Sequence, residues 1–239
     1  MNFPSLIKRI YGVLLEFISP LNCIVCENYI GKNKSRISHL CLSCFDKIPF
    51  ASEPEIIYNN LISNFSGDEL SISGAFSLMS LKEDSDYMEL IYYLKYHGLS
   101  HLGIEMGREL GYTLEYYKST DYDYIIPIPI HHARRRERGY NQSEEIAKGI
   151  SQILNLPTNF DAIRRIKYTQ TQTKLNKAER MRNVANVFAP KKNCKSVSGR
   201  KILLVDDVLT TGSTLNSCGN ILLEMGAKRV DAATLLFAN

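Results

Sequence analysis

The 239-residue sequence lacks any run approaching the about 18 consecutive apolar residues that a membrane span requires. It lacks internal repeats and low-complexity tracts, so nothing points to a solenoid or a flexible array. It also lacks a strong excess of one charge: 29 basic against 25 acidic side chains leave a net +4. That balance permits an anionic ligand without demanding one. The apolar start, residues 1–20, is broken by Lys8, Arg9 and Glu16, and no small-residue cleavage site follows it. A secretory leader is therefore not expected. Leu6, Ile10, Leu14 and Phe17 instead fall at helical spacing. An amphipathic helix packed on the protein is the reading taken, with a membrane-surface helix as the alternative. The expected location is the cytoplasm, where cysteines serve metals or cores more than disulfides.

What the sequence does have is an ordinary globular composition, 44% hydrophobic and 23% charged, over enough length for one α/β domain and a small appendage. Residues 51–69 are rich in Asn, Ser, Pro and Glu and read as a linker. Beyond them, strands are predicted at 74–81, 122–130, 160–166, 187–188, 201–205 and 229–237. Helices are predicted over 87–97, 102–117, 143–154 and 213–225. Strands alternating with helices imply a mainly parallel sheet covered on both faces, with ligands beyond the carboxyl ends of its strands. The expected division is a helix over 1–20, a four-cysteine motif over 21–50, a linker over 51–69 and an α/β domain over 70–239.

The most informative run is ILLVDDVLTTGSTL, residues 202–215. An apolar strand leads into Asp206 and Asp207, then into Thr210, Thr211, Gly212, Ser213 and Thr214, then into an amphipathic helix. A helix amino terminus presents unpaired N–H groups and the positive end of its dipole. Gly212 allows positive φ and close backbone approach, and the flanking hydroxyls add donors. No lysine of the Walker type is present, so the turn suits a single phosphate. Capping alone asks for one Ser or Thr, not four hydroxyls and two acids. Two adjacent carboxylates suit vicinal hydroxyls of a ribose or positive charge on its anomeric carbon. Cys218 falls at core spacing and reads as packing.

Cys23-x2-Cys26 and Cys41-x2-Cys44 form two knuckles able to place four thiolates around zinc. Four ligands leave no open position, so the site would be structural; two disulfides are the alternative. His39 reads as a neighbour, and Cys194 is unassigned. Two basic segments remain. The first holds His131, Arg134, Arg135, Arg136 and Arg138, is read as a loop after the 122–130 strand, and has His131, Arg134, Arg136, Arg138 and Gln142 as its candidates. Its arginine forks suit phosphate oxygens, though a solvated loop or a nucleic-acid patch fits the same residues. The second, residues 167–185, reads as a mobile loop or hood, with Gln172, Lys174, Arg180, Arg182 and Asn183 as candidates for closing contacts.

Together these segments resemble one family. The 202–215 run resembles the phosphoribosyl-pyrophosphate (PRPP) signature of type I phosphoribosyltransferases. P-x-P-x-H-x-x-R, R-G-Y-N-Q-S-E, T-Q-x-Q-x-x-L, R-x-x-N-V, LKYHG at 94–98 and the cysteine pairs are similar to the ComF family. His132 and a long Asn/Ser-rich insert between the cysteine pairs depart from its pattern. The resemblance implies a type I phosphoribosyltransferase-like parallel sheet with helices on both faces, plus an amino-terminal zinc ribbon. It implies that Asp206 and Asp207 hold the ribose hydroxyls as the catalytic pair and that residues 210–214 hold the 5′-phosphate. Pyrophosphate would be held with Mg²⁺ near His131, Arg134, Arg136, Arg138 and the hood residues Gln172, Lys174, Arg180 and Arg182, and the hood would exclude water. It further implies a part in natural competence and DNA uptake, beside single-stranded DNA and a helicase-like partner. Three functions stay open: phosphoribosyl transfer to an unidentified acceptor, a DNA-handling accessory role, and PRPP sensing without turnover. The 14 tyrosines and 9 phenylalanines form no obvious base-stacking series in the sequence.

Overall fold

The computed structural model describes residues 21–66, 69–82, 84–167, 187–192 and 196–238. The expected amino-terminal helix, the hood residues Gln172, Lys174, Arg180, Arg182 and Asn183, and Cys194 lie outside them. The chain parts into two compact units between Ile48 and Pro49.

In the first unit, Ile30, Ile37, Leu40 and Ile48 form a small buried core around the cysteines. Cys41 caps the short helix α1, Leu42–Phe45, and Phe45 N–H returns to the Cys41 carbonyl at 2.9 Å. The Cys23 knuckle closes similarly, with Glu27 N–H donating to the Cys23 carbonyl at 2.9 Å.

The second unit is built on a parallel sheet. Its elements in chain order are α2 (Pro54–Ile62), β1 (Ala75–Leu81), α3 (Met88–Tyr96), α4 (Ser100–Tyr116), β2 (Tyr124–Pro127), α5 (His132–Arg138), α6 (Gln142–Leu154), β3 (Ile163–Arg165), β4 (Phe188–Pro190), β5 (Lys201–Leu209), α7 (Ser213–Glu224) and β6 (Arg229–Ala238). The sheet order is β1-β6-β5-β2, every pairing parallel. The apolar runs of β5 and β6 are buried on both faces, as parallel strands require. Ile202, Leu204, Val230 and Ala232 share one core with Ile57 and Leu61 of α2 and Leu215, Cys218 and Leu222 of α7. Strand alternation turns Leu203 and Val205 toward the opposite face, where α4 and α6 lie.

Helices α4 and α6 approach unusually closely because glycines line their crossing. A Cβ on Gly107 would sit 2.3 Å from the Ile146 carbonyl oxygen, and one on Gly149 would sit 2.2 Å from that of Ile104. This contact seats the start of α6 against the sheet's carboxyl end.

Four expectations need correction. Residues 51–69 contain α2, which opens on Pro54 at its first turn and buries Ile57 and Leu61 four residues apart. The basic segment is not a loop but α5, capped by the His131 side chain and ended by Gly139 at φ 82. The strand that carries the diacid does not stop at Val205; it continues to Leu209, paired with Phe237. β2 is shorter than predicted. Pro127, facing Val205, has no N–H to extend the ladder, and Ile128 adds one last bond to the Val205 carbonyl at 2.8 Å. Asp206 and Asp207 therefore stand in a notch where their neighbour has already ended.

Candidate functional site

The notch gathers side chains from four elements. Ser143, in the first turn of α6, donates its hydroxyl to Asp206 Oδ1 at 3.0 Å, and the Asp207 N–H donates to the same oxygen at 2.9 Å. Lys95, near the end of α3, brings Nζ within 3.2 Å of Asp207 Oδ2. Arg165 at the end of β3 lies close enough for its charge to act on Asp206 and on Arg134. Of these, sequence reading named only the two acids and Arg134 as site residues. Lys95 was visible inside LKYHG, Ser143 inside YNQSE and Arg165 inside a basic cluster, but no local signal distinguished them from neighbours.

The acid pair is electrostatically unequal. Burial, then the charge of Asp207, raises Asp206 to about 7, against the opposing pull of the Asp207 N–H, Ser143 and Lys95. Burial, then Arg134, pushes the Arg165 guanidinium down. His131 is lowered by burial first, then by His132, Arg165, Arg136 and Arg134. A cationic flank thus meets the diacid from the side of β3 and α5.

Beyond Leu209 the chain turns at Gly212 into α7. Gly212 has φ 77, a conformation that side-chain-bearing residues rarely adopt. Its α-carbon is also packed so closely that a Cβ would stand 2.1 Å from Leu61 Cδ1. The Thr211 and Ser213 hydroxyls lie 2.7 Å apart, and the Ser213 N–H points to Thr211 Oγ1 at 3.4 Å. Asn64 donates from Nδ2 to the Thr211 carbonyl at 3.5 Å. The segment read as a linker is therefore the buttress of this turn. Asn216 fastens the next stretch: its Oδ1 accepts from Ser71 N–H at 2.6 Å, and its Nδ2 donates to the Glu69 carbonyl at 2.9 Å.

The basic candidates separate by what they touch. His131 Nδ1 accepts from Ala133 N–H at 3.3 Å, so one ring nitrogen is occupied in capping α5. Arg134 acts through its charge on Arg165 and on His131. Arg136 is exposed and acts on His131 only through its charge. Arg138 is committed elsewhere, donating to Gln142 Oε1 at 3.1 Å and lying 5.3 Å above the Tyr96 ring. Arg135 pairs with both carboxylate oxygens of Glu144. His132 is exposed, and Cys218 is buried in the core, as expected.

In the separate first unit, the Sγ atoms of Cys23, Cys26, Cys41 and Cys44 all lie within 4.8 Å of one another. Cys26 and Cys41 are 3.8 Å apart, and a tetrahedron with metal–sulfur bonds of about 2.3 Å has sulfurs about 3.8 Å apart. The donor set and spacing fit a metal ion such as zinc. His39 stands outside the cluster.

A carboxylate pair, a glycine-pinned hydroxyl turn at a helix amino terminus and a cationic flank thus lie along one edge of the sheet. Residues 141–239 match the model of the phosphoribosyl transferase domain. The sheet and this match define a type I phosphoribosyltransferase-like fold. Relatives include competence protein F of Haemophilus influenzae, 37% identical over 106 residues, 44% of this chain and 46% of that protein. DNA utilization protein YhgH of Escherichia coli K12 is 36% identical over 108 residues, 45% of this chain and 46% of that protein. Competence protein ComFC of Bacillus subtilis is 36% identical over 113 residues, 47% of this chain and 43% of that protein. The matches span somewhat under half of these relatives' lengths. Over these stretches the chain is similar to relatives named for competence and DNA utilization. Solved structures with some likeness include a purine phosphoribosyltransferase from Pyrococcus horikoshii, at 20% identity and TM-score 0.35, covering 55% of this chain and 70% of that one. Another is the glutamine PRPP amidotransferase of Bacillus subtilis, at 20% identity and TM-score 0.37, covering 54% and 26%.

Proposed function

We propose that the second unit binds PRPP and transfers its ribosyl 5-phosphate to a nucleophile, releasing pyrophosphate. The observation that carries the reading is the continuity of β5: one strand presents Asp206 and Asp207 in the notch and then delivers the Gly212 turn. The 5′-phosphate would take the N–H groups and hydroxyls of residues 210–214. The ribose hydroxyls would donate to Asp207 and share Asp206 with Ser143. The pyrophosphate would lie toward His131, Arg134 and Arg165, with Arg136 at the rim. Mg²⁺ would arrive on PRPP and neutralise its pyrophosphate charge as the leaving group departs. Competence and DNA utilization, named for the relatives, would be the setting of this activity.

Isothermal titration with Mg²⁺ and PRPP tests the reading. Binding is expected in the wild type, with a loss of about a hundredfold in the Asp206→Asn/Asp207→Asn variant, as two charge-assisted bonds go. Equal affinity in both proteins would refute the assignment. Release of pyrophosphate on adding candidate acceptors separates a transferase from a sensor that only binds.

A second reading, contact with single-stranded DNA, is favoured by an exposed aromatic cluster on α3. Tyr92 and Tyr96 are about half exposed, with ring centroids 5.0 Å apart; Tyr93 stacks on His97 at 4.1 Å, and Arg138 covers Tyr96. Such faces stack bases beside a phosphate-seeking cation. Salt-dependent binding of oligo(dT) that survives Tyr92→Ala/Tyr96→Ala unchanged would sink this reading.

A further inference from the structure

We propose that Lys95, outside the matched domain segment, is a positioning residue for the ribose-binding diacid, held there by a clasp from the start of α6. The inference rests on the PRPP reading above. Its basis is a set of contacts that converge from distant parts of the chain. The carbonyl of Leu94 accepts from Tyr140 Oη and from Gln142 Nε2, the latter at 3.5 Å. Arg138, bound to Gln142, closes over Tyr96 two residues further on. The residue between these two anchor points is Lys95, and its Nζ meets Asp207 Oδ2 at 3.2 Å. One residue beyond Gln142, Ser143 donates to Asp206. The YNQS segment therefore grips the LKYHG segment with two side chains and the diacid with the next.

The chemistry calls for a cation here. Two adjacent carboxylates repel each other, so the direction of each needs an outside hold. A lysine on the outer acid cancels one charge and fixes the direction of that carboxylate, leaving its other oxygen free to accept a ribose hydroxyl. The Lys95 side chain is 23% exposed and Asp207 14%, so the pair sits at the notch edge and not out in bulk solvent. The groups facing the diacid are Lys95 from α3, Arg165 from β3 and Cys218 from α7, with Ser143 from α6 as the neutral donor.

Lys95→Met and Lys95→Arg, each titrated with three ligands, test the assignment: PRPP with Mg²⁺, ribose 5-phosphate, and inorganic pyrophosphate with Mg²⁺. The methionine variant is expected to bind PRPP and ribose 5-phosphate about tenfold more weakly, since one charge-assisted contact is lost, while pyrophosphate affinity and melting temperature hold. Arginine should restore most of the loss. Undiminished ribose 5-phosphate affinity in Lys95→Met, or equal loss for all three ligands, overturns the proposal. If the wild type binds neither PRPP nor ribose 5-phosphate, the PRPP reading fails by itself, and the ligand-free protein decides the role of Lys95. Removing the cation should move the diacid's titration midpoint, followed by the pH dependence of unfolding, to higher pH in Lys95→Met but not in Lys95→Arg. An unmoved midpoint overturns the proposal there too.

Discussion

Asp206 holds its proton more tightly in the fold than in the open chain, because burial and Asp207 raise it to about 7. The sign of its contribution follows. Below pH 4 the carboxyl is neutral in both states; as pH rises toward about 7 the unfolded chain ionises freely and the folded one only at a cost. Stability owed to this group is therefore lost as the solution becomes neutral. Asp206→Asn is expected to be more stable than wild type at pH 8 by on the order of 1–3 kcal/mol, with little difference at pH 4. Urea unfolding at the two pH values checks this; an equal difference at both would contradict it. At this scale the sequence was legible where function is written locally. VDDVLTTGST holds acids, hydroxyls and glycine in one stretch. Lys95, Ser143 and Arg165 reach the same notch from three other elements, and no local spacing announces contacts that only the fold creates.

Among the elements, the tightest tolerance lies at the α4–α6 crossing. Gly107→Ala would place a methyl 2.3 Å from the Ile146 carbonyl oxygen, a backbone atom that cannot rotate aside. Because α6 begins with Gln142 and Ser143, forcing the helices apart also displaces the clasp on Leu94 and the hydroxyl on Asp206. The variant is expected to lose about 2–4 kcal/mol and to weaken PRPP binding together with stability. Thermal melting and titration on the same sample check it; Gly98→Ala, where a Cβ meets nothing within 4 Å, separates close packing from backbone strain. Elements were read well where periodicity was strong: α3, α4, α6 and α7 fall within two or so residues of prediction. The misreadings came from composition overriding pattern. Asn, Ser and Pro hid α2, although Pro54 and the Ile57–Leu61 spacing announced it. A run of arginines hid α5, whose caps, His131 and Gly139, were present in the sequence.

At the scale of the whole molecule, the two units part at Ile48, and each has its own core. The first is small, and its four thiolates surround a volume suited to one ion. A structural metal in so small a core supplies much of its folding free energy. Stripping metal with a chelator is expected to expose the amides of residues 21–48 to rapid hydrogen exchange while those of β5 and β6 stay protected. Cys26→Ser should lower bound zinc below one equivalent. Retention of one equivalent would sink the four-thiolate assignment. Here the sequence was explicit, because knuckle spacing is a local rule. The partition of the remainder was harder to read, since it depends on α2 folding with the sheet instead of leading to it.

The contact between Leu61 and Gly212 has a historical implication. A Cβ at position 212 would require the Leu61 side chain to move, and that leucine alone supplies an atom within 3 Å of it. The two sites are therefore not free to drift independently. In a collection of related chains, glycine at the turn should therefore persist even where the helix position has become smaller. Shortening Leu61 would open a cavity in the core, and the φ of 77 would still strain a side chain at 212, so both positions are held from two sides.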